Sequence, residues 1–366
     1  MESVASQIAA AVNIRSLYPA NHPRVAQSVA ELAGGVRRVL AERGDEAVSF
    51  ILIGDDLLVG DHVIRASGQL LVREFIRLLV ERNIERLTIA EGVGVEELGQ
   101  FIGCVVSGEK FESTAHVIVG RAHVVMSEEE GGTRPLSADQ LEIARESWAR
   151  FRVDRRLPIE QLEELVWSLI DSLARSARGM MPLAALKTHD EYTFVHSVNV
   201  ALLVLAQARS FGLEGTMLHD FGMAALLHDT GKLRIPIEIL NKAGTLDDQE
   251  WSVMRSHTYE GAWALAEMES ARPLAIVVAF EHHLRHDGLA NYPVLRARRS
   301  PNLASRMTAI ADGYDAMSTV RPYQQPLGRV AACEILRRRA GTFYDPMLVG
   351  NFLRLIGEAS SDAPQA

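Results

Sequence analysis

The chain has 366 residues and a net charge of −9, from 38 lysines and arginines against 47 aspartates and glutamates. Its apolar runs, such as residues 200–206 and 274–280, are far shorter than the roughly 18 residues that a membrane span requires. The acidic balance argues against general affinity for DNA or for an anionic membrane surface. We therefore expect a folded protein of two or three domains that binds neither DNA nor a membrane.

The sequence predicts a cytoplasmic protein. It begins Met1-Glu2-Ser3, without the basic start and apolar block of a secretory signal. The two cysteines, Cys104 and Cys333, lie far apart and form no CxxC pair, which is typical of thiols in a reducing compartment.

Residues 1–127 are predicted to form a compact α+β unit. A helical pattern ends near residues 43–44 and is followed by two β-rich segments, 49–53 and 57–64, which contain Gly-Asp turn signals. The remaining elements predicted for this unit are a helix at 70–82, a strand at 86–90, a helix at 95–107 and a strand at 116–126. No catalytic set of residues occurs in it, so we interpret the unit as a regulatory or dimerisation domain.

Residues 128–180 are predicted to form a linker and connecting helices, because an acidic run, two glycines and a proline precede a helical pattern. The pattern then stays almost entirely helical through residues 181–357, and the small, polar residues 358–366 are expected to be a disordered tail. The predicted fold is therefore an α+β N-terminal domain followed by an all-α helical bundle domain. The sequence alone does not decide whether two copies of the chain form a homodimer through residues 141–173.

Positive charge is concentrated late in the chain. Ten arginines lie between Arg285 and Arg339 against four acidic residues, a local excess of six positive charges. This pattern is typical of a solvated basic helix face, and the functional alternative is the attraction of a phosphate-bearing ligand.

Histidines cluster in the helical region, where eight of the twelve lie between His189 and His286. The apolar residues 224–227 lead directly into His228-Asp229, and burial of such a pair is costly unless the two groups are paired or hold a metal. Lys232 lies one helical turn further on, within reach of an anion held beside them.

Further candidate ligands occur at intervals that suit successive helices of a bundle: His196, His257, His282, His283 and Asp312. Nitrogen and carboxylate ligands together suit Mn, Fe, Co, Ni or Zn, and a shared carboxylate bridges two ions. The pair His219-Asp220 precedes His228-Asp229 by nine residues and would face the opposite side of a helix. We interpret that pair as a surface or capping pair.

Six segments in order carry a resemblance to a known family: residues 189–197, 228–232, 254–257, 281–283, 311–317 and 321–323. As an ordered set they resemble the HD-GYP branch of the HD phosphohydrolase superfamily, over about two fifths of the chain. The resemblance implies that residues 181–357 form an HD-type helical bundle, a metal-dependent phosphohydrolase domain. The implied activity is that of a phosphodiesterase that hydrolyses a cyclic dinucleotide, cyclic di-GMP, by a metal-bridging hydroxide.

The resemblance also implies a dinuclear metal centre, with iron or manganese as the usual metal. By position, the ligands would be His196, His228 and Asp312 for one ion, His257, His282 and His283 for the other, and Asp229 as the bridge between them. Lys232 would act as a catalytic residue that holds a phosphate oxygen, and Arg321, Asn291 and Tyr292 would contact the substrate.

The sequence departs from the family pattern at three positions. The loop at 287–293 is one residue longer than usual and has Asn291 in place of the naming glycine, and we expect Asn291 to preserve the turn by adopting a left-handed backbone. Gln324 replaces a basic residue after the Arg-Pro-Tyr segment. Tyr192 occupies the position of a glutamate that recruits a third ion in some members, so we expect two ions.

These departures leave two other functions open. The first is a binding module that holds the nucleotide without turnover and signals to a protein partner through the N-terminal domain or the Asn291 loop. The second is an HD hydrolase of another nucleotide, such as cyclic GMP-AMP or a nucleoside polyphosphate.

Overall fold

The structure is a computed structural model of the chain. It describes residues 2–54, 56–59, 62–65, 69–120, 158–175, 192–240, 242, 244–289, 291–318 and 327–357. The chain separates into two compact units, Met1–Val124 with Phe211–Leu213, and Val125–Ser210 with Glu214–Ala366. The predicted boundaries near residues 127 and 180, and the predicted tail, lie outside the described residues and stay predictions.

The N-terminal unit contains a five-stranded antiparallel sheet in the order β3-β2-β1-β4-β5. The strands are β1 (Ala47–Ile53), β2 (Asp56–Val59), β3 (His62–Arg65), β4 (Arg86–Ala90) and β5 (Val117–Gly120). In the central strand β1, Phe50 lies opposite Val59 of β2 on one side and Leu87 of β4 on the other. The β-rich segment predicted at 57–64 is divided between β2 and β3, with the turn signal of residues 60–61 between them.

Four helices accompany the sheet: α1 (Glu2–Leu17), α2 (Pro23–Arg43), α3 (Leu70–Glu81) and α4 (Val95–Ser107). Helix α1 packs against α2, α3 and α4. Their apolar faces and the strands form one core, whose larger members include Ile8, Leu32, Phe50, Phe75 and Phe101. Sequence analysis did not predict α1, because its buried face is mostly alanine and valine and so contrasts weakly with its polar face.

The regular secondary structure in the described part of the C-terminal unit is helical, apart from an isolated bridge between Ala340 and Tyr344. The helices are α5 (Ile159–Arg175), α6 (Tyr192–Ser210), α7 (Gly215–Leu226), α8 (Ile237–Leu240), α9 (Asp248–Arg255), α10 (His257–Ala266), α11 (Pro273–Glu281), α12 (Leu303–Ser318), α13 (Arg329–Arg339) and α14 (Pro346–Leu355), with a 3₁₀ turn at Thr230–Arg234. The predicted fold class, an α+β domain followed by an all-α domain, is confirmed.

The packing of the bundle brings five helices and the 3₁₀ turn around one point. Helix α6 packs against α7 and α12, and α11 packs against α7 and α10. Helix α10 also packs against the 3₁₀ turn. None of the described helices is both long enough and apolar enough to cross a bilayer.

Candidate metal centre

The seven predicted ligands converge at this point from five parts of the bundle. They are His196 on α6, His228 and Asp229 between α7 and the 3₁₀ turn, His257 at the start of α10, His282 and His283 directly after α11, and Asp312 on α12. We call these seven residues the metal cluster. Its members are separated by more than a hundred positions in the sequence, and the packing of the helices brings them together.

Asp229 lies in the middle of the metal cluster, and its two carboxylate oxygens face different histidines. Oδ2 lies 3.3 Å from Nε2 of His228 and 3.8 Å from Nε2 of His196. Oδ1 lies 3.5 Å from Nε2 of His257 and 3.7 Å from Nε2 of His282. The carboxylate therefore stands between two pairs of imidazoles, which is the arrangement that a bridging ligand requires.

Three groups in the described residues have ligand atoms within 4.8 Å of one another. They are His196 with His228 and Asp312; His257 with His282 and His283; and His228 with Asp229 and His282. The first two groups coincide with the sets that the resemblance assigns to two ions, and the third connects them through Asp229.

Backbone carbonyls fix the orientation of three of the imidazoles. Nδ1 of His228 and Nδ1 of His257 each lie 2.7 Å from the carbonyl oxygen three positions earlier. Nδ1 of His282 lies 3.1 Å from the carbonyl oxygens three and four positions earlier. Because a carbonyl oxygen only accepts, each Nδ1 carries the proton, and each Nε2 presents a lone pair to the interior of the metal cluster.

The metal cluster contains buried polar atoms that no described protein group satisfies. His228 Nε2 and Asp229 Oδ1 are buried and have no hydrogen-bond partner among the described residues. His257 Nε2 and His282 Nε2 lie 3.3 Å apart, and with both rings protonated on Nδ1 neither can donate to the other. Each unsatisfied buried polar atom costs about 1–3 kcal/mol. A cation among these atoms would satisfy them, so the donor set fits metal ions.

Burial keeps the histidines of the second group neutral. It lowers the pKa of His257, lowers the pKa of His282 well below its usual range, and lowers the pKa of His283 to about 3. Neutral imidazole is the form that binds a metal. These side chains are therefore ready to act as ligands without first losing a proton at neutral pH.

Both carboxylates of the metal cluster are ionised. Burial opposes this, but the positive charge of Lys232 and then the interaction with the His228 ring hold the pKa of Asp229 well below its usual value. For Asp312, burial is outweighed by the hydrogen bond and charge of His196, which hold its pKa well below the usual value. The ammonium of Lys232 contacts the Asp229 carboxylate, and the Lys232 side chain is 24% exposed whereas Asp229 is 1% exposed. Lys232 therefore lies between the metal cluster and solvent.

Sequence analysis did not single out Asp315, which orients a predicted ligand. His196 Nδ1 donates to Asp315 Oδ2 at 2.7 Å, and Asn199 Nδ2 donates to Asp315 Oδ1 at 2.9 Å. Burial would lower the pKa of His196, but its hydrogen bonds to Asp312 and Asp315 raise that pKa to about 9. A carboxylate behind a ligating histidine fixes the ring and makes it more basic. The spacing of three positions from Asp312 to Asp315 on one helix face was the available signal.

Glu281 is a second residue that sequence analysis did not assign a role. It is fully buried, accepts from the Asn302 backbone N–H at 2.7 Å and from Ser305 Oγ at 2.9 Å, and pairs with Arg299 at 2.6 Å. These contacts tie the end of α11, which precedes His282, to the start of α12. Glu281 therefore fixes the relative position of ligands from two helices.

Two glycines allow the 3₁₀ turn to approach α10 closely. A Cβ on Gly231 would lie 1.9 Å from the His257 carbonyl oxygen and 2.5 Å from Gly261 N. A Cβ on Gly261 would lie 2.9 Å from Gly231 N. Since real Cβ atoms do not approach backbone atoms so closely, glycine at both positions is what brings Asp229 beside His257.

The predicted substrate loop borders the metal cluster at His283. Asn291 Nδ2 donates to the His283 carbonyl oxygen at 2.5 Å, and the ring of Tyr292 packs against the His283 ring at an interplanar angle of 40°, with centroids 4.5 Å apart. Gly288, with φ of 66°, adopts a left-handed backbone in this loop, and the left-handed backbone expected at Asn291 stays a prediction. Asn291 also contributes a side-chain amide, which a glycine lacks.

The interpretation of His219-Asp220 as a surface or capping pair needs correction. His219 is fully buried, and its ring stacks on Trp167 with centroids 4.6 Å apart. Asp220 pairs with Arg272 at 2.7 Å. Neither residue belongs to any of the three ligand groups found among the described residues. The pair therefore has a packing role, and His219 is internal because Trp167 covers its ring.

Three residues of the sequence predictions are not described. Arg321 and Gln324 lie in the segment 319–326, outside the described residues, and so does the side chain of Tyr192 at the start of α6. Their predicted roles stay predictions.

Comparison with known proteins agrees with this geometry. Residues 174–348 match a family model described as an HD domain. A cyclic di-GMP phosphodiesterase of Pseudomonas aeruginosa is 36% identical over 208 residues, 56% of this chain and 49% of the relative. A cyclic di-GMP phosphodiesterase of Thermotoga maritima is 34% identical over 167 residues, 45% of each chain. A 3′3′-cGAMP-specific phosphodiesterase of Vibrio cholerae is 33% identical over 191 residues, 52% of this chain and 34% of the relative.

The chain spans about half the length, or less, of these curated relatives. The matched region lies in the helical part of the chain that contains the metal cluster, and the strands of the sheet precede it in the sequence. The predicted resemblance is confirmed. Residues 174–348 of this chain thus match an HD domain, and the α+β N-terminal unit lies outside the match.

Proposed function

We propose that this chain is a metal-dependent phosphodiesterase that hydrolyses cyclic di-GMP at the metal cluster. The observation that carries the proposal is the position of Asp229, whose two oxygens face two separate pairs of imidazoles. Two curated relatives named cyclic di-GMP phosphodiesterases, at 34–36% identity, support the choice of substrate.

Two transition-metal ions, iron or manganese, fit the donor set of six histidine and carboxylate ligands around Asp229. His196, His228 and Asp312 would hold one ion, and His257, His282 and His283 the other. When bound, the ions would supply charge neutralisation for the phosphodiester and activation of the attacking water.

The chain's own residues would hold the substrate at the border of the metal cluster. The Lys232 ammonium contacts Asp229 and reaches partly into solvent, so it lies where a phosphate oxygen would bind. The Tyr292 ring, packed on His283, offers an aromatic face for a guanine base. The Asn291 amide holds the His283 carbonyl and thereby fixes the loop against the metal cluster.

A second substrate, 3′3′-cGAMP, follows from a different observation. A 3′3′-cGAMP-specific phosphodiesterase of Vibrio cholerae is 33% identical over 52% of this chain, close to the identity of the cyclic di-GMP enzymes. The two substrates share the cyclic phosphodiester and differ in one base. The contacts that distinguish them are therefore contacts to the bases.

The test is a substrate panel with the full chain, purified without oxygen or chelator and reconstituted with Fe(II) or Mn(II). Cyclic di-GMP, 3′3′-cGAMP and a nucleoside tetraphosphate are each incubated, and linear products are quantified by chromatography. We expect hydrolysis of cyclic di-GMP that chelation abolishes and added metal restores.

Each other outcome selects a different function. Faster turnover of 3′3′-cGAMP than of cyclic di-GMP would replace the substrate. Binding of cyclic di-GMP without turnover, in protein shown to contain metal, would contradict the enzyme and favour the binding module. Neither binding nor turnover of a cyclic dinucleotide would contradict both.

A further inference from the structure

A cavity of about 250 Å³ lies in the segment that follows the metal cluster's last histidine. Four arginines line it: Arg285, Arg296, Arg298 and Arg299. Its other lining residues are mostly apolar and include Leu289, 43% exposed, and Val294, 78% exposed. None of the seven residues of the metal cluster lines this cavity. We call it the arginine cavity.

Two of the four arginines have acidic partners and two do not. Arg285 pairs with Asp287, and Arg299 pairs with Glu281 at 2.6 Å. Arg296 and Arg298 are exposed, and neither has a carboxylate partner among the described residues. The wall of the cavity therefore presents two guanidinium groups whose charge no neighbouring side chain neutralises.

This combination is suited to one class of ligand. A guanidinium matches the oxygens of a phosphate with two parallel hydrogen bonds, and a concave basic surface raises the local concentration of anions. The exposed apolar side chains beside the arginines suit the flat face of a base. The volume lies just below the roughly 300–1,000 Å³ of typical small-molecule sites, which favours a mononucleotide over a dinucleotide.

We propose that the arginine cavity binds a mononucleotide through its phosphates, with Arg296 and Arg298 as the anion-binding residues. This site is separate from the metal cluster and does not depend on the proposed hydrolysis. Asn291 lines the cavity and also donates to the His283 carbonyl oxygen. A bound nucleotide would therefore contact a residue that is hydrogen-bonded to the metal cluster.

The test uses isothermal titration calorimetry on the full chain, treated with a chelator so that no metal contributes to binding. Three probes are titrated: guanosine 5′-diphosphate, inorganic phosphate and guanosine. We expect guanosine 5′-diphosphate to bind more tightly than inorganic phosphate, because only the former also covers the apolar wall, and guanosine to bind weakest. Inorganic phosphate binding as tightly as the nucleotide would contradict a nucleotide site. Guanosine binding as tightly would contradict recognition through phosphate.

Matched variants locate the site. The double variant Arg296→Ala/Arg298→Ala should weaken guanosine 5′-diphosphate binding by about tenfold or more, since two charge-assisted contacts are lost. The control is Arg37→Ala/Arg38→Ala, which removes the same charge from an exposed face of α2. An equal loss in both variants would show general attraction by charge, and no loss in the cavity variant would show binding elsewhere. Either result overturns the proposal.

A second readout needs no variant and so does not depend on folding of the substituted protein. Phenylglyoxal modifies accessible arginines, and mass spectrometry of the peptides reports the rate at each position. Guanosine 5′-diphosphate should slow modification of Arg296 and Arg298 and leave Arg37 unchanged. Equal rates with and without the nucleotide would overturn the assignment of these two arginines.

Discussion

The two units of this protein differ in what they bury. In the described part of the N-terminal unit, the buried polar side chains are those of Ser28 and Asp56. The C-terminal unit buries a large polar set that includes His196, His228, Asp229, His257, His282, Glu281 and Asp315. Because unpaired polar burial costs about 1–3 kcal/mol per group, a fold does not retain such a set without compensation. The difference between the two units shows that buried polar side chains mark the helical unit as the one that contains the candidate metal centre.

The largest effect is expected when the Asp229 carboxylate, at the centre of the metal cluster, is removed. Asp229→Ala should abolish metal binding at both positions and lower hydrolysis at least about a thousandfold, since several kcal/mol of charge stabilisation is lost. Elemental analysis and product chromatography measure the two effects. Asp220→Ala, which removes the contacts with Arg272 and His219 and touches no member of the metal cluster, is the control and should keep its metal. Equal metal loss in both variants would show that Asp229 is not the bridging ligand.

The next test targets the close backbone contact between the 3₁₀ turn and α10 in the helical unit. Gly261→Ala should destabilise the protein by about 1–3 kcal/mol and weaken metal binding, because the added Cβ meets Gly231 N at 2.9 Å. Thermal unfolding and metal titration report both effects. Gly103→Ala, in the interior of α4 where nothing lies within 4 Å of the added Cβ, should be neutral or stabilising. A Gly261→Ala protein as stable as the parent would mean that the turn and α10 are not held at this distance.

A smaller effect is expected from a change at Asp315, which orients the predicted ligand His196. Asp315→Asn removes the negative charge that His196 Nδ1 contacts and should weaken metal binding about 10- to 100-fold while leaving the fold intact. A competition titration with a chelator measures the affinity, and circular dichroism checks the fold. Asp220→Asn, outside the metal cluster, serves as the matched control. Unchanged affinity in Asp315→Asn would limit Asp315 to packing.

The smallest effect belongs to the N-terminal unit. Hydrogen bonds from Thr114 and then from the Gly94 backbone lower the pKa of Glu97 from 4.5 to about 2. Since the folded pKa is depressed, the stabilisation is present above pH 4.5 and is lost as the pH falls from 4.5 towards 2. Glu97→Gln should therefore cost roughly 1 kcal/mol at pH 7 and show a smaller loss of stability over that pH window.

Unfolding of the Glu97→Gln and parent proteins between pH 7 and pH 2.5 provides the measurement. Glu96→Gln, an exposed neighbour in the first turn of α4, is the control and should follow the parent. Metal content should be the same in all three proteins. A change of metal content in Glu97→Gln would break the contrast between an apolar unit and a metal-binding unit.

The sequence predicted most of the strands and helices of the N-terminal unit because their apolar periodicity is clear. It missed α1, whose buried face consists mainly of small residues. The seven residues of the metal cluster were found because histidine and aspartate are rare in apolar surroundings and occur in a recognisable order.

The residues that support the ligands were not predictable in the same way. Asp315 and Glu281 act through contacts made by helix packing, and no local pattern reveals that Glu281 reaches Asn302 and Ser305. The role of Asn291 also depends on a side-chain contact with the His283 carbonyl oxygen, which its residue type alone does not reveal.

The central claim, that Asp229 bridges two metal ions, is tested most directly by anomalous X-ray scattering from crystals of the full chain reconstituted with Mn(II) or Fe(II). Data collected above and below the absorption edge of the metal locate each ion independently of the protein model. The account predicts two peaks per chain, one beside each oxygen of Asp229, with His196, His228 and Asp312 around the first and His257, His282 and His283 around the second. A single peak, or two peaks of which either lies away from Asp229, would contradict it.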